Sequence, residues 1–187
     1  MSCRFCCLLA LLGFAAPASA QPRCILLVRH AEKPEREDMA VHLAPLGMKR
    51  AALLPELFVK SDRRPDPFPR PDFVFAGKNS EASHRCVETA TPLAEKLKLN
   101  LHAEFKNEDY GTLAKELLGE AKYSGKTVLV AWRHGKIAAL AKALGATDAP
   151  ATWALGSFDR VWQITYSPAG KATFRDRPQS LLPGDSR

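Results

Sequence analysis

The stretch ILLVRHAEKPE, residues 25–35, decides how this chain is to be read. Four apolar residues run straight into Arg29 and His30 and then into a set of alternating charges. A continuous apolar run of this length, opened by Cys24, predicts a strand covered on both faces, as in a parallel sheet flanked by helices. Such a strand would end by placing a guanidinium and an imidazole side by side at one edge of the sheet. In open α/β sheets that edge, at the carboxyl ends of the strands, is where ligands bind.

The rest of the chain alternates strand and helix signals. Leu43 to Val59 carries helix-spaced apolar residues (Leu46, Leu53, Leu54, Leu57, Phe58), with Pro55 expected to kink it. The segment SDRRPDPFPRP, residues 61–71, reads as a surface loop. Phe73–Ala76 predicts a short second strand, and Val87, Ala90, Leu93, Ala94 and Leu97 form a helical stripe around an internal Pro92. Leu101–Phe105 predicts a third strand and Tyr110–Tyr123 a helix. Thr127–Trp132 is a clear β run, and Ile137, Leu140, Ala141 and Leu144 mark the next helix. Arg160–Tyr166 and Lys171–Phe174, joined by the Ser167–Gly170 turn, predict a closing hairpin, and the polar, proline-broken tail from Arg175 is expected to be irregular. The expectation is an α/β chain: one three-layer sandwich with a mostly parallel central sheet and helices on both faces.

Composition agrees with one soluble domain. The chain has 187 residues, 46% hydrophobic and 25% charged, enough for one core and little more. Residues 1–20, MSCRFCCLLALLGFAAPASA, stand apart: one charge, an apolar run, then small residues ending in Ala18-Ser19-Ala20. That is the layout of a secretory signal peptide cleaved after Ala20, leaving a domain of residues 21–187 and predicting a secreted or periplasmic protein. The apolar run is short for a membrane span, so no stable span is expected after cleavage. The net charge of +7 includes Arg4, so the mature chain keeps about +6, a balance that suits anionic partners. No run of five or more Lys/Arg occurs, so nucleic-acid binding is not expected. Cys24 and Cys86 remain after cleavage. They are expected to stay unbridged: Cys24 opens the first strand, and Cys86 follows Arg85, which the family resemblance described below implies at that strand's far end.

A second histidine makes the opening stretch meaningful. Trp132-Arg133-His134-Gly135 closes another predicted strand, so two strands bring a histidine to the same rim. Either pair alone reads as a charged strand terminus; a guanidinium beside an imidazole, repeated across the sheet edge, suits a phosphoryl group. Arginine pairs phosphate oxygens in bidentate fashion, a neutral histidine held through its other ring nitrogen can attack phosphorus, and a second histidine can stabilise charge on the equatorial oxygens. The helix after His134 would also point its N-terminus at that rim.

At these residues the chain resembles the histidine phosphatase superfamily, which includes the phosphoglycerate mutase-like phosphatases. The likeness rests on LVRHAEKP, HLAPLGMKRAALL, the arginine ahead of a Thr-Ala pair in SHRCVETATPLA, and VLVAWRHGKI, spanning residues 24–145. It implies His30 as a nucleophile that becomes phosphorylated, Arg29 and Arg85 as phosphate-binding arginines, and His134 as the second catalytic and phosphate-binding histidine. The family often uses a carboxylate as proton donor. Here the candidates are Glu108 or Asp109, which also suit the first turn of a helix near Tyr110, or Glu32. The acidic phosphatase branch places an aspartate after the second histidine, where this chain has Gly135, and that branch does not fit.

The likeness implies hydrolysis of a phosphomonoester on an anionic substrate, with no cofactor. No HExxH, paired CxxC or Asp-rich calcium loop appears, so no metal site is expected, and His42 and His102 read as surface or packing residues. The polar loop Lys78, Asn79, Ser80, Ser83 and His84 and the extra cation Arg133 read equally as solvated groups or as helpers at the rim. Two other functions stay open: a non-catalytic anion-binding protein, and a phosphatase restricted to good leaving groups such as phosphohistidine.

Overall fold

A computed structural model describes residues 21–36, 41–62 and 64–186. The expected signal peptide lies outside the described residues. Six strands form one sheet: β1 (Cys24–Arg29), β2 (Phe73–Ala76), β3 (Leu101–His102), β4 (Thr127–Trp132), β5 (Arg160–Tyr166) and β6 (Ala172–Pro178). Their spatial order is β3-β2-β4-β1-β5-β6, with β3, β2, β4 and β1 mutually parallel and the β5–β6 hairpin antiparallel at one side. The helices are α1 (Pro45–Leu53), α2 (Arg85–Leu97), α3 (Tyr110–Gly119) and α4 (His134–Ala143). Among the described residues no helix is long and apolar enough to cross a membrane.

The alternation of side chains along β1 and β4 builds the two covered faces. Ile25, Leu27, Val128, Val130 and Trp132 pack with α3 and α4. Cys24, Leu26, Val28, Leu129 and Ala131 pack with α2 and with Leu54 and Leu57, which follow α1. Every residue of β1 and β4 is buried, as the unbroken apolar runs require. This is the α/β three-layer sandwich.

Four boundaries differ from expectation. Pro55 does not kink one long helix; α1 stops at Leu53 and Leu54–Phe58 continues as a 3₁₀ helix. Proline at the second position of that turn needs no N–H there. The third strand is only Leu101–His102, because it sits at the sheet edge with β2 as its one partner. The helix from Tyr110 ends at Gly119, followed by a 3₁₀ turn at Ala121–Tyr123. The tail is not irregular from Arg175: β6 runs on to Pro178, and Gln179 N–H then donates to Asp159 O at 2.7 Å. Asp185 accepts from the Leu181 and Leu182 N–H groups at 2.8 and 3.0 Å, so the end of the chain is folded back onto the domain.

Cys24 lies at the start of β1, in register with Thr127, whereas Cys86 Sγ lies beside Gly77 and Trp132, beyond the opposite ends of β2 and β4. Both are free and buried, and burial pushes their thiols up to about 11 and about 12. They are inert packing groups.

Candidate phosphate site at the carboxyl edge of the sheet

The register of the central strands assembles the site. Arg29 stands opposite Trp132, and His30 N–H donates to Trp132 O at 3.0 Å. The residues that follow each strand, His30 on one and Arg133-His134 on the other, therefore leave the sheet at the same level. β2 ends beside them, with Ala76 opposite Ala131 and Gly77 N–H donating to Ala131 O at 3.0 Å. The loop from Gly77 is closed by a small Ser80–Ser83 bridge and delivers Arg85 as the first residue of α2. Arg29, His30, Arg85 and His134 are thereby brought together, and the rings of His30 and His134 stand 6.3 Å apart.

His30 is 1% exposed, and its Nδ1 lies 2.8 Å from Ala31 O. A carbonyl only accepts, so Nδ1 carries the proton and Nε2 keeps its lone pair. Burial, reinforced by the neighbouring cations Arg85 and Arg29 and by His134, lowers the imidazole from 6.5 to about 3. His30 is thus neutral across the physiological range. Ala31 N–H donates to Thr89 Oγ1 at 2.9 Å, and Thr89 Oγ1–H donates to Arg85 O at 2.7 Å. One hydroxyl ties the His30 loop to the first turn of α2.

That shift has a consequence for stability. Between pH 6.5 and about 3 the unfolded chain takes up a proton at residue 30 that the folded chain refuses. Stability then rises with pH through this window, and acidification erodes it by up to about 1.4 kcal/mol per pH unit from this group. Urea unfolding of the native chain is expected to weaken more steeply from pH 6.5 to 4 than unfolding of His30→Gln, which does not titrate there. Parallel slopes would show that His30 is not held neutral by the fold.

Several of the other donors lack a protein partner among the described residues. Arg29 is 3% exposed; one Nη1–H reaches Ser157 O at 3.2 Å and its guanidinium carbon lies 4.0 Å above the Phe158 ring. Among the described residues its buried Nε has no partner, nor do Nε and Nη1 of Arg85 and Nδ1 of His134. Burial and mutual repulsion lower the Arg29 pKa to about 10; burial, then Arg133, lowers Arg85; burial, then Arg29, Lys33 and Arg85, lowers His134. Buried cations that repel one another favour an arriving anion, because each gains when a negative charge comes close. His134 opens α4, so that helix's N-terminus adds its dipole to the same field.

The carboxylates are elsewhere. Glu108 is largely exposed and pairs with Lys136 at 2.7 Å, which lowers its pKa. Asp109 Oδ2 accepts the Lys106 N–H at 2.9 Å, a capping role. Glu32 faces Arg50, receiving Nε–H and Nη2–H at 2.9 and 2.7 Å. Arg133 donates to Ser80 Oγ at 2.8 Å, so these two rim residues hold each other. His102 stacks on Phe75 at 4.8 Å, as a packing residue should.

Sequence reasoning missed Thr89, Phe158 and Arg50. Thr89 was visible only as part of the Thr-Ala pair after Arg85, and Phe158 lies in a loop without any motif. Arg50 belongs to α1, whose Gly47 allows the close approach: a Cβ there would stand 2.3 Å from Glu32 O. The first turn of α1 thus presses directly on the backbone two residues beyond His30.

The architecture and this edge-bound cluster define a class: the fold is that of the histidine phosphatases and phosphoglycerate mutases. Three solved structures illustrate the likeness. Phosphoserine phosphatase from Entamoeba histolytica, solved with 3-phosphoglyceric acid, is 14% identical over 85% of this chain and 99% of its own, with a TM-score of 0.56. A protein histidine phosphatase complexed with tungstate is 14% identical over 83% of this chain and 97% of its own, also at 0.56. Phosphoglycerate mutase from Bacillus anthracis is 16% identical over 84% and 94%, at 0.52. No protein-family model matches the sequence, and no curated protein matches it.

Proposed function

We propose that the chain is an exported phosphatase that hydrolyses a phosphomonoester through a phosphohistidine on His30. The observation that carries this reading is the set of buried donors with no protein partner, on Arg29, Arg85 and His134, around a histidine held neutral. In the first step the Nε2 lone pair of His30 forms a bond to phosphorus as the ester P–O bond breaks, and the leaving oxygen takes a proton from water or from Glu108 when its carboxyl is protonated. In the second step water attacks the phosphohistidine, freeing inorganic phosphate and restoring the imidazole. Arg29, Arg85 and His134 hold the phosphoryl oxygens throughout, each charge-assisted contact contributing a few kcal/mol in a site shielded from water. No step calls for a metal or cofactor. The export reading is supported by the leader-like composition of residues 1–20.

A cavity of about 310 Å³ adjoins His134 and is lined by Gly135, Ala138 and the segment Ala151–Leu155. Its walls carry no charged side chain, which favours a leaving group that is neutral beyond the phosphate. The test of the whole reading is steady-state hydrolysis of p-nitrophenyl phosphate by the chain from Gln21, beside His30→Ala.

A second reading is favoured by Glu108. We assign it the proton-donor role, because its partner Lys136 sits two residues after His134, whereas Asp109 is committed to the Lys106 backbone. Yet the same Lys136 lowers its pKa, so at neutral pH the carboxyl seldom carries the proton it would donate, which favours substrates with good leaving groups such as phosphohistidine. Glu108→Gln is expected to cost about 10²-fold on an alkyl phosphate and little on p-nitrophenyl phosphate. Equal, small effects on both would remove Glu108 from the chemistry. Phosphate binding without any turnover would instead leave a non-catalytic anion-binding protein.

A further inference from the structure

We propose that His42, His84 and Glu88 form a binding site for a divalent transition-metal ion of the zinc class. One donor atom from each lies within 4.8 Å of the others. Glu88 N–H donates to His84 O at 3.0 Å, so His84 and Glu88 are one helical turn apart and share a face at the start of α2. His42 comes from the segment before α1. Its ring meets that of His84 edge-on at 5.0 Å, and its Nδ1 lies 2.5 Å from Glu88 Oε1.

Two bonds flank His42 and hold it there. His84 N–H donates to Val41 O at 2.8 Å, and Leu43 N–H donates to Glu88 Oε2 at 2.9 Å. The third ligand is therefore placed by the backbone on both of its sides. A His42–Glu88 ion pair alone accounts for two of the residues. It leaves the His84 ring, among the described residues, with the edge of His42 and no hydrogen-bond partner. A metal accounts for all three.

Two imidazoles and one carboxylate are a zinc-type donor set with a fourth position left for water, and are too nitrogen-rich for calcium or magnesium. Tetrahedral bonds of about 2.0–2.1 Å place donors about 3.3 Å apart, so wider separations must contract and His42 Nδ1 and Glu88 Oε1, at 2.5 Å, must part as the ion replaces their contact. The His42 side chain, 59% exposed, is free to make it. The ion would pin the segment 41–43 to the residue immediately before Arg85. This inference does not depend on the phosphatase reading.

The test is titration of the tag-free chain from Gln21 with Zn²⁺ by calorimetry, and with Co²⁺ followed by its visible absorption. One equivalent is expected to bind, with a tetrahedral cobalt spectrum. His42→Ala and His84→Ala should each weaken Zn²⁺ binding at least tenfold, as should Glu88→Gln, which still accepts the Leu43 N–H. Circular dichroism confirms that each variant is folded. The double variant His30→Ala/His134→Ala should bind as the native chain does. Loss of binding there, with retention in His42→Ala, would place the ion on the other histidines and overturn the proposal. So would the absence of saturable binding to the folded native chain.

Discussion

Replacing His30 by alanine is expected to reduce turnover of p-nitrophenyl phosphate by about 10⁴-fold or more, because it removes the Nε2 atom that the proposed reaction uses to form the covalent intermediate. The loss should fall on kcat. Arg29, Arg85 and His134 stay in place, and inorganic phosphate should bind the variant within about tenfold of the native affinity, since these groups carry the charge-assisted contacts. Rapid quenching of the native chain with labelled substrate should trap a phosphoryl group that is labile to acid and stable to base, as a phosphorus–nitrogen bond is, and the variant should trap none. A variant that keeps more than a tenth of the activity would mean that His30 is not the nucleophile. Loss of phosphate binding along with turnover would instead mean that the imidazole is needed to hold the pocket together.

Arg50→Ala is expected to be the most destabilising single change, costing about 3–5 kcal/mol. Arg50 is 5% exposed and pairs with two carboxylates that are themselves mostly buried, Glu32 at 2.7 Å and Asp185 at 2.8 Å, while also reaching Gln179 Oε1 at 3.2 Å. Both partners hold its pKa above the ordinary arginine value in spite of burial. Removing the guanidinium strands two negative charges in a poorly hydrated place, which costs far more than an intact pair contributes. At about 2–4 °C per kcal/mol for a chain of this size, Tm should fall by roughly 6–20 °C. The triple variant Arg50→Met, Glu32→Gln, Asp185→Asn should recover part of that loss, since no charge is left unpaired. A drop below about 1 kcal/mol in Arg50→Ala, read from urea unfolding, would show that water reaches the carboxylates. Activity should fall as well, because Glu32 lies two residues beyond His30 and Asp185 brings the end of the chain to the same network.

The two predictions draw on different kinds of information. His30, Arg29 and His134 were legible because a buried strand ends abruptly: an apolar run long enough to cross the sheet cannot continue through Arg29-His30 or Arg133-His134. Both pairs must therefore lie at a strand's carboxyl end. Arg85 was legible through resemblance alone, since the eight residues between β2 and α2 carry no periodicity. The expectation that the tail would be irregular failed because Pro178 falls at the end of the edge strand β6, where a missing N–H costs no ladder bond. The long helix from Leu43 was overestimated because apolar spacing does not distinguish α from 3₁₀ winding once Pro55 removes a donor.

The sequence by itself determined the class of fold, the alternation of strands and helices, and the delivery of two histidines and an arginine to one rim. These follow from short-range periodicity, which chain chemistry sets locally. Only the tertiary structure decided which polar atoms are left without partners, that His30 is held neutral by burial among cations, and that Glu32 is taken by Arg50 while Glu108 stands with Lys136. The same holds for the meeting of His42 with His84 and Glu88 and the return of Asp185 to the core. Each of these depends on distances between residues far apart in the chain, and desolvation, charge coupling and coordination act through space rather than along the backbone.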